Sequence, residues 1–237
     1  MKKRNLLKKM LCKSLIASIL ISAFLIEGTP VYANGVDGDL TYEEGAVDYI
    51  PADMRQREAE KLQALRRMRT SYPSAIKMSI TAFKQETNWY CGPATVKQVV
   101  HRINGSSLTQ KEYADLLSTT TDGTNMTLIP NVVNTCIDEQ YYVYSSIGTQ
   151  DEWMEKIRSG IYNDRPAILD INTEALYKQK KFPYSTKGHF VNTSGYSDTE
   201  GVVYITDPHP SYTGTAKYSQ DILYSANSAH SRKAIIW

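Results

Sequence analysis

Apolar residues recur at helical spacing in the stretch around which the rest of the chain is arranged. Val96, Val99, Val100 and Ile103 fall at i, i+3, i+4 and i+7, one face of a helix, and Asn104-Gly105 supplies its stop. Pro93 has no N–H and a fixed φ, which suits the first helical turn, and Gly92 is expected to let the backbone turn sharply beside it. Cys91 therefore stands at the mouth of this helix, ahead of its apolar face. A second face is written by Ile129, Val132, Val133, Cys136 and Ile137. Thr109 with Glu112, and Thr149 with Glu152, have the capping-box spacing and open helices running to Ser118 and to about Ser159. Leu108 and Tyr113 are placed for a hydrophobic staple.

In the second half the period shortens. Pro166 to Ile171 is an apolar run that fits a buried strand. His189–Tyr196 and Val202–Thr206, separated by the turn-like residues 197–201, predict a hairpin. Further strands are expected at Lys77–Ile80, Tyr141–Ile147 and Arg232–Trp237. Helices first and strands later predict an α+β domain.

Charge changes the picture at the N-terminus. The 237 residues carry a formal charge of only +2, which argues against a nucleic-acid partner. Lys2, Lys3, Arg4, Lys8, Lys9 and Lys13 precede the apolar run Leu15–Ile26, followed by Val31-Tyr32-Ala33, the layout of a secretory signal peptide cleaved after Ala33. The apolar run is short of the roughly 18–20 residues needed to span a bilayer, so no stable membrane association is expected after cleavage. Removing residues 1–33 takes away six of 27 Lys/Arg and one of 25 Asp/Glu, leaving 21 against 24 and a mature balance of −3. The expected location is extracellular or at the cell surface.

Residues 34–72 form an acidic lead-in followed by a charged helix over Pro51–Thr70, acidic early and basic late as the helix dipole favours. This segment reads as a linker helix on the domain surface or as a propeptide, inhibitory in the stronger version. Residues 73–237 read as the main domain.

The chemistry gathers at Cys91. Free N–H groups and the positive end of a helix dipole favour thiolate over thiol. Gln85, six residues earlier, carries an amide that with the Cys91 N–H can donate to an oxyanion. Of four histidines, His101 lies nearly three helical turns from the thiol and cannot reach it. His189 begins a predicted strand just after Gly188, a residue that leaves room for substrate to approach. Asp207 ends the next strand, so the hairpin brings carboxylate and imidazole together, leaving the second ring nitrogen for Cys91. The plainer reading of Cys91 is a small buried hydrophobe. A Cys91–Cys136 disulfide would abolish the nucleophile, although Cys136 reads as core packing. Trp89 and Tyr90 line a substrate groove or anchor the loop. His209 is a metal ligand only if a second ligand cluster joins it, and none is evident, so no metal or cofactor is expected; it is placed instead at the edge of the site. Lys178, Lys180, Lys181 and Lys187 are a solvated basic face, or a preference for acidic substrate.

Gln85 six before Cys91, Cys91-Gly92-Pro93-Ala94, Gly188-His189-Phe190-Val191 and Thr206-Asp207-Pro208 together resemble the papain-like cysteine peptidases. Within them, the resemblance is to the bacterial family related to double-glycine leader peptidases, over about residues 78–237. It implies a papain-like α+β fold with the nucleophile helix packed on an antiparallel sheet. It also implies Cys91 as nucleophile, His189 as general base and acid, Asp207 as orienter and Gln85 as oxyanion donor. Tyr90 departs from the pattern, standing where relatives often carry aspartate. The activity expected is hydrolysis of a peptide or protein substrate through a thioester. Acyl transfer, cell-wall peptide cleavage and a non-catalytic binding or adhesion module are the alternatives.

Overall fold

The computed structural model describes residues 50–67 and 72–237. The expected signal peptide, the acidic lead-in and the junction 68–71 lie outside the described residues. The elements are α1 (Ala52–Arg67), β1 (Ala75–Lys77), α2 (Cys91–Asn104), α3 (Gln110–Leu116), a 3-10 turn at Met126–Leu128, α4 (Ile129–Ile137), β2 (Tyr144–Ser146), α5 (Gln150–Tyr162), β3 (Ile168–Ile171), α6 (Glu174–Lys178), β4 (His189–Ser197), β5 (Val202–Asp207), β6 (Gly214–Ser219), α7 (Gln220–Ala229) and β7 (Ala234–Ile236). The α+β expectation holds, and the cysteine-bearing helix packs on an antiparallel sheet as expected.

Local chemistry sets the boundaries. Gly105 adopts the left-handed conformation (φ 69°) after α2, returning its N–H to the His101 carbonyl. Thr109 and Glu112, then Thr149 and Glu152, form the two capping boxes. Three expectations needed correction. The first strand falls at 75–77 rather than 77–80, because it pairs with the far end of β4, Ala75 opposite Ser197. The strand expected over 141–147 is only three residues long, since its ladder partner β7 is equally short. Beyond β5, sequence periodicity missed β6 and α7 altogether.

All strand pairs are antiparallel, in the order β2-β7-β3-β4-β5-β6, with β1 added to β4. Alternate residues serve opposite faces. Ile168, Phe190 and Ile236 join Val96, Val99, Ile129 and Val133 in the core beneath α2 and α4. Leu169, Val191 and Ile235 join Trp153, Ile157 and Leu223 in the core beneath α5 and α7. A layer of helix thus covers each face, and β4 runs through the middle with all nine residues buried.

Helix α1 is anchored at the β2 edge, three strands from β4. Met54 is fully buried, Ser145 Oγ donates to Glu58 Oε1 (2.5 Å), and Lys61 Nζ donates to the Tyr141 carbonyl (2.9 Å). The ammonium of Lys61 lies over the rings of Tyr141 (3.5 Å) and Trp237 (4.4 Å), and burial holds it well below the usual lysine range.

Strand β4 changes neighbour midway. Its first half pairs with β3, its last three residues pair with β1, and a bulge between Thr193 and Gly195 marks the change. At Gly195 a Cβ would meet the Ile76 carbonyl oxygen at 2.6 Å and Lys77 Cα at 2.9 Å, both backbone atoms. Gly195→Ala is therefore expected to destabilise the domain by about 1–3 kcal/mol, the usual range for overpacking, measured as a lower urea midpoint. An unchanged midpoint would show that β1 is not held where it crosses β4.

Candidate active site

Cys91 is the first residue of α2 and is 1 % exposed, with a free thiol. The alternative bridge to Cys136 is not formed, since Cys91 is free, and Cys136 is buried in the core beneath α2. Gly92 lies within the helix and serves close packing rather than the sharp turn expected of it. A Cβ at residue 92 would meet Thr124 Oγ1 at 2.4 Å, and the Thr124 hydroxyl is itself 2.9 Å from that of Thr119.

The helix is fixed to β4 by buried polar contacts. Thr95 Oγ1 donates to the Phe190 carbonyl (2.9 Å), next to His189. Asn192 Nδ2 donates to Gln98 Oε1 (2.6 Å), and Gln98 Nε2 donates to the Phe83 carbonyl (3.1 Å) at the start of the loop that carries Gln85. Gln110 clamps that loop from α3, donating to the Lys84 carbonyl (2.7 Å) and accepting from the Glu86 N–H (2.9 Å). Gln85 is buried, its backbone N–H donates to the Pro208 carbonyl (2.9 Å), and its side chain donates to the Thr87 carbonyl (2.8 Å). The loop before the cysteine is thereby tied to the segment just after Asp207.

Thr206 pairs with Asn192, so extending the register sets Asp207 opposite Val191, on the same face as His189 and diagonal to it. His189 Nε2 is 2.8 Å from Asp207 Oδ1, and the Cys91 side chain is near enough to act on the same imidazole. Burial opposes charge on this ring, but the Asp207 carboxylate, and after it the nearby Cys91 side chain, outweigh it and push His189 up to about 10. Burial would raise Asp207, yet the charge of His189 and the bonds donated by His189, Tyr184 and the His209 N–H hold it below the usual carboxylate range.

Cys91, Gln85, His189 and Asp207 are all buried, and His189 is hydrogen-bonded to Asp207. Trp89 and Tyr90 are half-buried in the loop before α2, their rings edge to face at 6.4 Å. Gly188 is buried, with its N–H donated to Thr186 Oγ1 (3.2 Å) and its carbonyl accepting from the same hydroxyl (2.8 Å). His101 packs edge-on against Phe83, away from the thiol. His209 lies beside the His189–Asp207 pair, 5.7 Å from the His189 ring, and is lowered by burial and by the charge of His189. Its Nδ1 accepts from the Ser211 N–H (3.2 Å). Among the described residues no group of three or more His, Cys, Asp or Glu gathers as for a metal ion.

Sequence reasoning missed Tyr184, whose hydroxyl donates to Asp207 Oδ2 (2.6 Å), because nothing in its local pattern marks it. It also missed Thr95, Gln98, Gln110 and Asn192. For Thr95 and Gln98 a signal existed, since both are polar residues interleaved with the apolar positions of α2.

A family model described as the Peptidase_C39 like family matches residues 77–231. No curated protein matches the chain. Among solved structures, one similar fold is a double glycine motif protease from an AMS/PCAT transporter in complex with the leader peptide, at 14 % identity and a TM-score of 0.46, covering 68 % of this chain and 91 % of that one. Another is the peptidase domain of Streptococcus ComA, a bi-functional ABC transporter involved in a quorum sensing pathway, at 20 % identity and 0.44, covering 66 % and 95 %. A third is Xylellain, a cysteine protease from Xylella fastidiosa, at 10 % identity and 0.48, covering 89 % and 96 %.

The shifted pair makes stability depend on pH. His189 binds its proton more tightly folded than unfolded, so its contribution is complete below about pH 6.5, its ordinary value, and is lost as pH rises toward about 10. Asp207, depressed in the fold, contributes above its ordinary value and loses that contribution as pH falls through its lowered one. The thermal midpoint is expected to fall between about pH 6.5 and 10, and Asp207→Asn should flatten that slope. A variant with the wild-type slope would show that the pair is not its source.

Proposed function

The chain belongs to the Peptidase C39-like family and is a cysteine peptidase, and from that premise we propose that it is exported and hydrolyses a peptide or related amide bond through a Cys91–His189–Asp207 triad. The observation that carries this reading is the His189 imidazole hydrogen-bonded to Asp207 (2.8 Å) and close enough to the buried Cys91 side chain to be raised by it. With Nε2 on Asp207, the other ring nitrogen, Nδ1, is left for the thiol.

His189 takes the Cys91 proton, and the thiolate attacks the scissile carbonyl. The oxyanion receives the Cys91 backbone N–H and the Gln85 amide. One of the two Gln85 side-chain protons is held by the Thr87 carbonyl, which fixes the amide plane and leaves the other to donate. The His189 imidazolium then gives its proton to the leaving amine as the thioester forms. Water, deprotonated by the same imidazole, attacks the thioester and releases the acid and the free thiol. Asp207 keeps the ring oriented and steadies its charged form.

Export rests on the charged start, short apolar run and small residues of 1–33. A protein or peptide is the substrate class that family membership supports, and Trp89 and Tyr90, half-buried beside the cysteine, are assigned to its binding.

The deciding measurement is the rate of Cys91 alkylation by iodoacetamide against pH, with His189→Ala alongside. The wild-type rate is expected to persist well below the roughly 8.5 of a free cysteine and to drop at least about tenfold in the variant. A rate that rises only near that value in both proteins would remove the triad. Export is checked separately by the mass of the protein recovered from culture medium, which should begin at Asn34; a secreted chain retaining residues 1–33 would refute the cleavage.

A further inference from the structure

Tyr184 reaches the site from the segment between α6 and β4, which the mechanism above leaves unused. Asp207 receives three hydrogen bonds. Two fall on Oδ1, from His189 Nε2 (2.8 Å) and the His209 N–H (2.7 Å), and the third falls on Oδ2, from the Tyr184 hydroxyl (2.6 Å). Without the third, the carboxylate would be held by one oxygen and Oδ2 would be a buried acceptor with no donor.

The phenol is set independently of that bond. The Tyr184 carbonyl accepts from Thr173 Oγ1 (2.8 Å), and Thr173 also pairs with Thr186 on the far side of the turn. The ring stacks on His209 (4.2 Å, 12°) and meets the His189 ring edge-on (5.5 Å, 80°). Burial, followed by the charge of Asp207, holds this hydroxyl well above the usual tyrosine range, so it stays protonated and able to donate. The other titratable groups facing the pair are Cys91, His209, Tyr212 and Tyr218.

We propose that Tyr184 is a positioning residue: its O–H fixes the plane of the Asp207 carboxylate and takes up part of its charge, so that the His189 imidazolium can still release its proton to the leaving amine. This inference rests on the triad mechanism proposed above. A lysine or arginine in its place would cancel the carboxylate, and an apolar side chain would leave its full charge directed at His189, making the imidazolium a poorer acid. A neutral donor lies between these extremes.

Tyr184→Phe keeps the ring and deletes the hydroxyl. On peptide substrate its kcat is expected to fall about tenfold with KM within about twofold, since the lost bond acts on proton transfer rather than on binding. The alkylation profile of a thiolate–imidazolium pair has an upper step where the imidazolium loses its proton, and this step should move to higher pH by about half a unit. In an Asp207→Asn background the same change should shift the alkylation profile by little, because its target is gone. Tyr184→Gln, which loses the ring but keeps a donor, should leave the upper step near the wild-type position even at a lower thermal midpoint, and so decides the matter if the phenylalanine variant folds poorly.

An upper step that stays put in Tyr184→Phe, equal losses in both Asp207 backgrounds, or a Tyr184→Gln step that shifts as far as that of Tyr184→Phe would overturn the inference while leaving the triad intact. An unactivated thiol in the wild type would overturn the triad, and this inference with it.

Discussion

The hydrogen bond between Gln98 and Asn192 is the constraint on which the site depends. Both side chains are fully buried, and losing either partner would strand the other at a cost of about 1–3 kcal/mol. Apolar packing alone is nondirectional and would tolerate small rotations of α2 over the sheet. The amide pair, with Thr95 on the Phe190 carbonyl, fixes which way that helix is turned. Cys91 lies about two turns back from Gln98 and His189 three residues back from Asn192, so one contact sets the positions of both.

Charge inside this arrangement is managed by hydrogen bonding. Cys91, His189 and Asp207 are almost wholly removed from solvent, where an unpaired ion is costly. His189 and Asp207 are bonded to each other, and Asp207 has two further donors. The backbone takes part as well, with the His209 N–H on Asp207 and the Gln85 N–H on the Pro208 carbonyl. Residues distant in sequence are thereby bound into one rigid cluster before any substrate arrives.

The placement of Cys91, His189 and Asp207 was legible because each sits at an element boundary with its own signature. Cys91 precedes Gly92-Pro93 at a helix start, and His189 and Asp207 occupy the two ends of a hairpin whose alternation is plain. Helix caps were equally clear, since Thr109–Glu112 and Thr149–Glu152 are local chemistry. β6 escaped notice because it is only partly buried along its length and shows no sustained apolar alternation. Tyr184 was invisible because its meaning lies in a partner 23 residues away, and no local period encodes that distance. Thr95 and Gln98 were legible in principle: polar side chains on a buried helical face require partners, and the partners proved to be on the strand that carries His189.

The contact between Gly92 and Thr124 has a meaning for sequence variation. The loop bearing Thr124 closes over the helix mouth so tightly that the two positions share one volume, and the Thr124 hydroxyl is in turn matched to Thr119. Residues 92, 119 and 124 therefore do not vary independently. A side chain gained at 92 has to be met by one lost at 124, and that loss leaves the hydroxyl at 119 without its neighbour. Among descendants of this sequence the three positions should change together or not at all, which makes them a register of how closely the mouth of the site has been kept.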